Sequence, residues 1–210
     1  MNGWMAAGLS ALGAYLLGSL SFGILTTRLF AHKDIRAMGS GNAGMTNVLR
    51  SAGALPGILT GAGDFAKGAA AILLGRWLFG LAGWNVYVGG CLAALFVLAG
   101  HLFPLYFGFR GGKGVMTSAG ILLVLNPLAL AILVVVFLIA FAVSKTVSVG
   151  SLAVAAGFPA VTLALCLLRG EEWWAPTLLA AGMGALIFYT HRANLARLRA
   201  GTEPKTVVRR

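Results

Sequence analysis

The sequence predicts an all-α, polytopic integral membrane helix bundle, on three observations. Hydrophobic residues fill 59% of the 210 positions and charged residues only 10%, where a soluble domain carries about 25% charge. Apolar runs near about twenty residues recur, the length that crosses a ~30 Å hydrocarbon core as helix. The runs are continuous and do not alternate, so helices and not a closed barrel must satisfy the backbone's polar groups. A single membrane-embedded domain over residues 1–210 is expected.

The elements follow in order. A first span covers roughly 6–30. No basic residue precedes its apolar run, whereas a secretory signal opens on positive charge; it is expected to be a retained helix with its N-terminus outside. A polar loop follows at 31–53, then spans at about 54–79 and 85–107. Residues 115–143 form one apolar run interrupted by Asn126-Pro127, and proline ends or kinks a helix. A loop "SKTVSVGSL" (144–152), a span at about 150–168, the aromatic turn "RGEEWW", a last span at about 173–190 and a basic tail to 210 complete the chain.

Charge sets the expected topology. Of the 16 Lys and Arg, thirteen lie at 28–50, 110–113, 145 and 192–210, and the positive-inside rule assigns all four to the cytoplasm. If 115–143 crossed once, Lys145 and the tail would fall on opposite sides from that rule. A fold-back at Asn126-Pro127 puts every basic segment inside, giving about seven membrane helices, one or two of them short, and a cytoplasmic C-terminus. Five or six conventional spans are the competing arrangement. Cys91 and Cys166 lie in apolar runs without metal-ligand spacing and are read as buried hydrophobes.

Four polar segments carry chemistry. "GSGNAGMTNVLR" (39–50) packs Gly39, Gly44, Ser40, Asn42, Thr46, Asn47 and Arg50 into twelve residues. Glycines let backbone N–H groups turn inward around an anion, the polar side chains add donors, and an Arg fork suits phosphate. "GFRGGKGV" sets Gly111, Gly112, Lys113 and Gly114 before a helix start, which also suits phosphate. It lacks the spacing of a nucleotide-binding P-loop. Ser148 and Ser151 offer hydroxyls in the third loop. His191 and Asn194 share a face if the last helix continues. Asp64 and Lys67 are three apart on one span and can pair, and intramembrane ionisable residues commonly face a polar cavity. His101 precedes "LFP" at a span end; Lys67 and His101 are both candidate substrate contacts. Ordinary turn and packing roles compete for the loop residues, and lipid headgroups for Arg192, Arg197 and Arg199.

The chain holds only five acids, Asp34, Asp64, Glu171, Glu172 and Glu203, with no cluster to cage Mg²⁺, so no metal and no cofactor is expected. There is no His-x₄-Asp pairing of the acyl-CoA-dependent glycerolipid acyltransferases and no Gly-x-Ser-x-Gly elbow.

Taken in order, "GSGNAGMTNVLR", "GHLFPLYFGFRGGKGV", "SVGSL" and "HRANLARLRAGTE" resemble the bacterial acyl-phosphate:glycerol-3-phosphate acyltransferases, the PlsY family; "YLLGSLSFGIL" and "GDFAKGAAAILLG" extend the likeness over nearly the whole chain. Ser21 stands where that family has proline, which bears on the first helix's kink. The resemblance implies transfer of a fatty acyl group from acyl phosphate to the sn-1 hydroxyl of glycerol 3-phosphate, giving lysophosphatidate and phosphate at the cytoplasmic face of the inner membrane. It implies essential roles for Ser40 and Arg50, glycerol-3-phosphate binding at Gly111, Gly112, Lys113 and Gly114, function at His191 and Asn194, and a structural role for Glu203. The expected partners are acyl phosphate, glycerol 3-phosphate and membrane lipids, with no nucleic acid, for a chain that works as a monomer. Either His191 or the departing phosphate is the base. A transporter of phosphorylated anions is the rival reading, though its site would lie near the midplane.

Overall fold

The computed structural model describes residues 1–205; the last five positions of the basic tail, Arg209 and Arg210 included, lie outside the described residues. All regular structure among the described residues is helical, and the chain divides into two compact units, Met1–Leu125 and Asn126–Arg210.

In the first unit the expected first span is two helices, α1 (Gly3–Ser19) and α2 (Phe22–Ala31), separated at Leu20 and Ser21. Asn2 caps α1 by accepting the Met5 N–H at 2.8 Å. The polar loop 31–53 contains a helix the sequence did not announce, α3 (Met45–Ala52), with Thr46, Asn47 and Arg50 on it. α4 (Ala54–Leu81) and α5 (Val86–Leu102) match the second and third spans. At ~1.5 Å per residue, the 28-residue α4 is long enough to span a bilayer with length to spare. α6 (Val115–Leu125) is the short helix after the glycine-rich segment.

These helices approach through small residues, as membrane helices do when apolar burial alone gives no driving force between them. A Cβ on Gly18 would collide with the Val97 carbonyl, one on Gly100 with the Tyr15 carbonyl, and one on Gly120 with the Phe65 carbonyl. Backbone therefore touches backbone where α1 meets α5 and where α6 meets α4. At one end of the unit Trp4 and Trp84 stack edge-on, 5.6 Å between ring centroids. At the other, the chain leaves α2, α5 and the start of α4, and both polar segments of this unit gather there. Tyr15 Oη donates to the Phe103 carbonyl at 2.9 Å and the Leu105 N–H donates to Ser19 Oγ at 3.2 Å.

In the second unit, α7 (Pro127–Ser144) packs on α8 (Val147–Arg169), which packs on α9 (Trp174–Thr190); α10 (Arg192–Arg199) follows. The run 115–143 thus breaks where expected. Asn126 caps α7 by accepting the Ala129 N–H at 3.1 Å, with Pro127 in the first turn, where no N–H is needed. α7 is the most apolar span and keeps Val135, Leu138, Ile139 and Val143 exposed, as a lipid-facing helix requires. Among the described residues, five helical segments are long and apolar enough to cross a membrane, and α6 and α9 are shorter apolar helices.

The glycine contacts give a direct test. Gly100→Val should destabilise the detergent-solubilised protein by about 2 kcal/mol or more, because its side chain meets backbone that cannot yield. Gly8→Ala, with nothing within 4 Å of the added atom, should move stability by no more than about 0.5 kcal/mol. Thermal unfolding of the two variants side by side checks this.

Candidate active site

In the first unit the segment 39–50 is organised around Asn47. Its amide Nδ2 donates to the Met38 and Asn42 carbonyls, both at 3.0 Å, and its Oδ1 accepts the Ser40 N–H at 3.0 Å. Asn42 Oδ1 accepts the Gly44 N–H at 3.0 Å, and the Gly41 N–H goes to the Met38 carbonyl. Gly39 and Gly41 hold φ of +55° and +71°, the left-handed turns that need glycine. Gly44 has φ −95° and serves as the N-cap of α3. The expected nest of inward-pointing N–H groups is therefore closed by its own side chains. Asn47 and Asn42 build the loop. Ser40 and Arg50 stand exposed and Thr46 half-buried, with Thr46 in the first turn of α3, at the positive end of its dipole.

The second segment leaves α5 and returns to it. The Gly111 N–H donates to Leu102 O and the Gly112 N–H to His101 O, both at 3.2 Å. Any side chain on Gly112 would strike the His101 ring, and one on Gly111 the His101 carbonyl. This close approach is what the glycine pair provides. Lys113 is half-buried, Gly114 turns at φ +87°, and α6 begins at Val115.

Beneath this loop lies a buried ionic cluster. Lys67 Nζ is 2.8 Å from Asp64 Oδ1, and His101 Nδ1 is 3.5 Å from the same oxygen. Lys67 also donates to the Leu20 carbonyl at 2.6 Å, at the break between α1 and α2. Lys67 and Asp64 are 4% and 2% exposed. The predicted i, i+3 pair is real, and its atoms are engaged with each other and with the backbone.

A second ionic cluster lies at the loop end itself. Asp34 accepts from Arg36 Nε and Nη2 at 3.0 and 2.8 Å and from Arg28 Nη2 at 3.1 Å. The Arg36 side-chain bonds foremost hold the Asp34 carboxyl well below the usual carboxylate range. Arg36 Nη1 donates to the Phe107 carbonyl at 2.7 Å. Sequence reasoning passed over these residues. Their only signal is an acid two residues before an arginine in a loop, which is common.

In the second unit Ser148 and Ser151 lie in the first turns of α8, not in a loop as expected, because the helix already starts at Val147. Ser151 Oγ donates to the Val147 carbonyl at 3.0 Å. His191 is the junction of α9 and α10. Its Nδ1 is 2.8 Å from the Ile187 carbonyl, which only accepts, so Nδ1 carries a proton. The helix does not run straight through His191, yet His191 and Asn194 are both buried. Glu203 ties this end together. Its Oε1 accepts from Ser148 Oγ at 2.8 Å and Asn194 Nδ2 at 2.6 Å, and its Oε2 accepts from Arg197 Nε at 2.6 Å. Arg197, read as a headgroup cation, is a structural partner. Burial acts to raise the Glu203 carboxyl, but the bonds from Asn194, Ser148 and Arg197 outweigh it and hold it below the usual carboxylate range.

Together these features define a multi-pass membrane protein whose polar, cation-bearing segments sit at helix ends. The family described as glycerol-3-phosphate acyltransferase matches residues 8–201. The glycerol-3-phosphate acyltransferase of Pseudomonas paraeruginosa (strain DSM 24068 / PA7) is 47% identical over 93% of this chain and 97% of its own. That of Clostridioides difficile (strain 630) is 40% identical over 93% of both. Among solved structures, the chain is similar to PlsY (YgiH), an integral membrane glycerol 3-phosphate acyltransferase. For its glycerol 3-phosphate form the TM-score is 0.81 at 33% identity, covering 96% of each chain; for its lysophosphatidic acid form the values are 0.80 and 32%. The chain belongs to the glycerol-3-phosphate acyltransferase (PlsY) family.

The Glu203 hub yields a pH prediction. A carboxyl whose folded pKa is depressed contributes stability that is complete above its unfolded value and lost as pH falls through the folded value. A nitroxide at Thr202 should therefore stay immobilised at neutral pH and become mobile only on acidification below the ordinary carboxylate range. Glu203→Gln should be mobile at every pH. Spin-label spectra across pH check this.

Proposed function

We propose that the protein transfers a fatty acyl group from an acyl phosphate to the sn-1 hydroxyl of glycerol 3-phosphate, releasing lysophosphatidate and inorganic phosphate, as a step of phospholipid synthesis. The observation that carries this reading is the meeting of two cation-bearing loops, one leading to Ser40 and Arg50 and the other to Lys113, at one end of the first unit, bonded to each other through Arg36 and Phe107. Both substrates carry phosphate and one carries a lipid tail, so anion sites at the membrane-facing end of an apolar bundle suit them. The solved PlsY forms named for glycerol 3-phosphate and lysophosphatidic acid support the same acceptor and product.

The chemistry asks little of the protein. Acyl phosphate is already activated, so the acceptor oxygen attacks the acyl carbon directly, the carbon–oxygen bond to phosphate breaks, and phosphate leaves with the electron pair. Arg50, as a planar fork, and Lys113, as a point charge, hold phosphate groups. Ser40 and Thr46 add hydroxyl donors, and charge developing in the transition state is met by groups already in place. For the acceptor's proton the side chain proposed as base is His191, whose ring in the second unit is fixed through Nδ1; Glu203 aligns Asn194 and Ser148 in the same unit. Asn42, Asn47, Lys67 and His101 act by building the site. Arg28, Lys33, Arg36, Arg50, Arg110 and Lys113 put the loop end of the first unit on the cytoplasmic side of the bacterial inner membrane, with the N-terminus outside, and the enzyme works as a monomer.

Purified protein given acyl phosphate and radiolabelled glycerol 3-phosphate in detergent should put label into the organic phase; acyl-CoA in place of acyl phosphate should not. No label there, with uptake into liposomes instead, would mark a transporter. His191→Ala should lower kcat by about 10² or more. Near-normal turnover in that variant would transfer the base role to the departing phosphate.

A further inference from the structure

The glycine-rich segment is an excursion with a held apex. The chain leaves α5 at Leu102, passes through a short turn at Leu105–Phe107, and returns where Gly111 and Gly112 bond back to Leu102 and His101. Directly after the apex, Gly108 and Phe109 both adopt left-handed backbone, φ +65° and +60°. For a phenylalanine that conformation is uncommon and persists only where the surroundings impose it. The Phe109 N–H bonds the Pro104 carbonyl at 2.9 Å. From outside, the turn is held at its start by Ser19 Oγ, which accepts the Leu105 N–H at 3.2 Å, and at its end by Arg36, whose Nη1 donates to Phe107 O at 2.7 Å, with the Arg28 guanidinium 5.8 Å over the Phe107 ring.

Arg36 is itself held. Two of its nitrogens fork onto the two Asp34 oxygens, and its backbone N–H donates to Asp34 Oδ1 at 3.0 Å. Asp34 is thus both the cap of the turn Ile35–Ala37 and the clamp on the guanidinium. Three residues on from that turn comes Ser40.

We propose that Arg36, clamped by Asp34, is a positioning residue: it locks the Arg110–Gly114 segment against the Ser40–Arg50 segment and so sets the spacing of the cations that hold phosphate. The inference rests on the reading above, in which those segments bind the substrates' phosphates. The opposing idea is that Arg36 binds phosphate itself. Its geometry argues otherwise, since Nε and Nη2 face a carboxylate that would repel an incoming anion and Nη1 is on a carbonyl. Lysine could not replace it, because a single ammonium cannot fork onto Asp34 and reach Phe107 at once.

Kinetics of the purified enzyme with Arg36→Lys and Asp34→Asn test this. Asparagine at 34 can still cap the turn but cannot clamp the guanidinium with charge. Both variants should raise KM for glycerol 3-phosphate about tenfold, with kcat within about twofold and the thermal midpoint unchanged. A direct phosphate ligand gives the opposite sign for Asp34→Asn, a lower KM, because a competing anion has been removed; that result overturns the proposal. So do an unchanged KM in both variants, and a KM rise matched by a fall in kcat and thermal midpoint. If the wild type makes no lysophosphatidate, the functional reading fails on its own, and the latch is judged by distance. Spin labels at Leu49 and Arg110, in a background lacking Cys91 and Cys166, should show a distribution that broadens on Arg36→Lys; an unbroadened one overturns the latch.

Discussion

A carbonyl freed inside an apolar span must find a donor, since lipid offers none and an orphan costs several kcal/mol. The break between α1 and α2 frees the Leu20 carbonyl, and Lys67 takes it at 2.6 Å. The rest of the first unit's polar end depends on that bond. Burying an ammonium requires a counter-charge, which Asp64 supplies from one turn earlier on the same helix. Asp64 brings His101 within 3.5 Å, and the His101 ring is the floor on which Gly112 rests. One break in one helix is thereby linked to the backbone of the glycine-rich segment. Losing either charge of such a pair leaves the other buried alone, a penalty of about 3–5 kcal/mol, so the cluster is retained as a whole.

The second unit solves its own problem with one carboxylate. Glu203 collects Ser148 from the start of α8, Asn194 from α10 and Arg197 one turn further on. A short helix of eight residues is marginal by itself. Charge-assisted bonds at both carboxylate oxygens tie it to α8 and set the orientation of the chain that follows His191. The His191 ring is then fixed from the other direction, by the carbonyl one turn earlier on α9.

The spans were legible because hydropathy and length act on every residue of a helix, so a boundary error of a few positions does not change the element. Asn126-Pro127 was legible because a cap and an N1 proline are local signals, and Asp64 with Lys67 because i, i+3 spacing is a rule of helix geometry. The break at Leu20 and Ser21 was signalled only by the resemblance, which places a kink at Ser21, since neither residue by itself disfavours helix strongly; the partner of the freed Leu20 carbonyl, Lys67, lies 47 positions away. α3 was hidden for the converse reason: glycine and asparagine composition reads as loop, while the helix begins only at Met45, after those residues have made its entry. Asn47 was read as a donor to phosphate, because composition gives a side chain's capacity to bond and not its partner. The Asp34–Arg36–Phe107 contact joins residues 71 apart through a main-chain carbonyl, which no side-chain pattern encodes.

The distribution of acids gives the polar ends their sense. Of five acids against 16 Lys and Arg, Asp34, Asp64 and Glu203 each hold loop or helix-end groups in place, and Glu171 and Glu172 lie in the turn before α9, where Glu172 accepts from the Trp174 indole N–H. The acids are used as fasteners, and the net charge of +11 is left as a field that attracts anions to the helix ends. If the donor is the acyl phosphate proposed above, it brings its own leaving group, and such a field supplies much of what the transfer needs. On that proposal, the protein's task is to hold two phosphates at a fixed spacing against their mutual repulsion. Rigidity of the loops is then worth as much as their charge. This accounts for a chain so poor in acids placing three of them where they hold cations and polar donors at loops and helix ends.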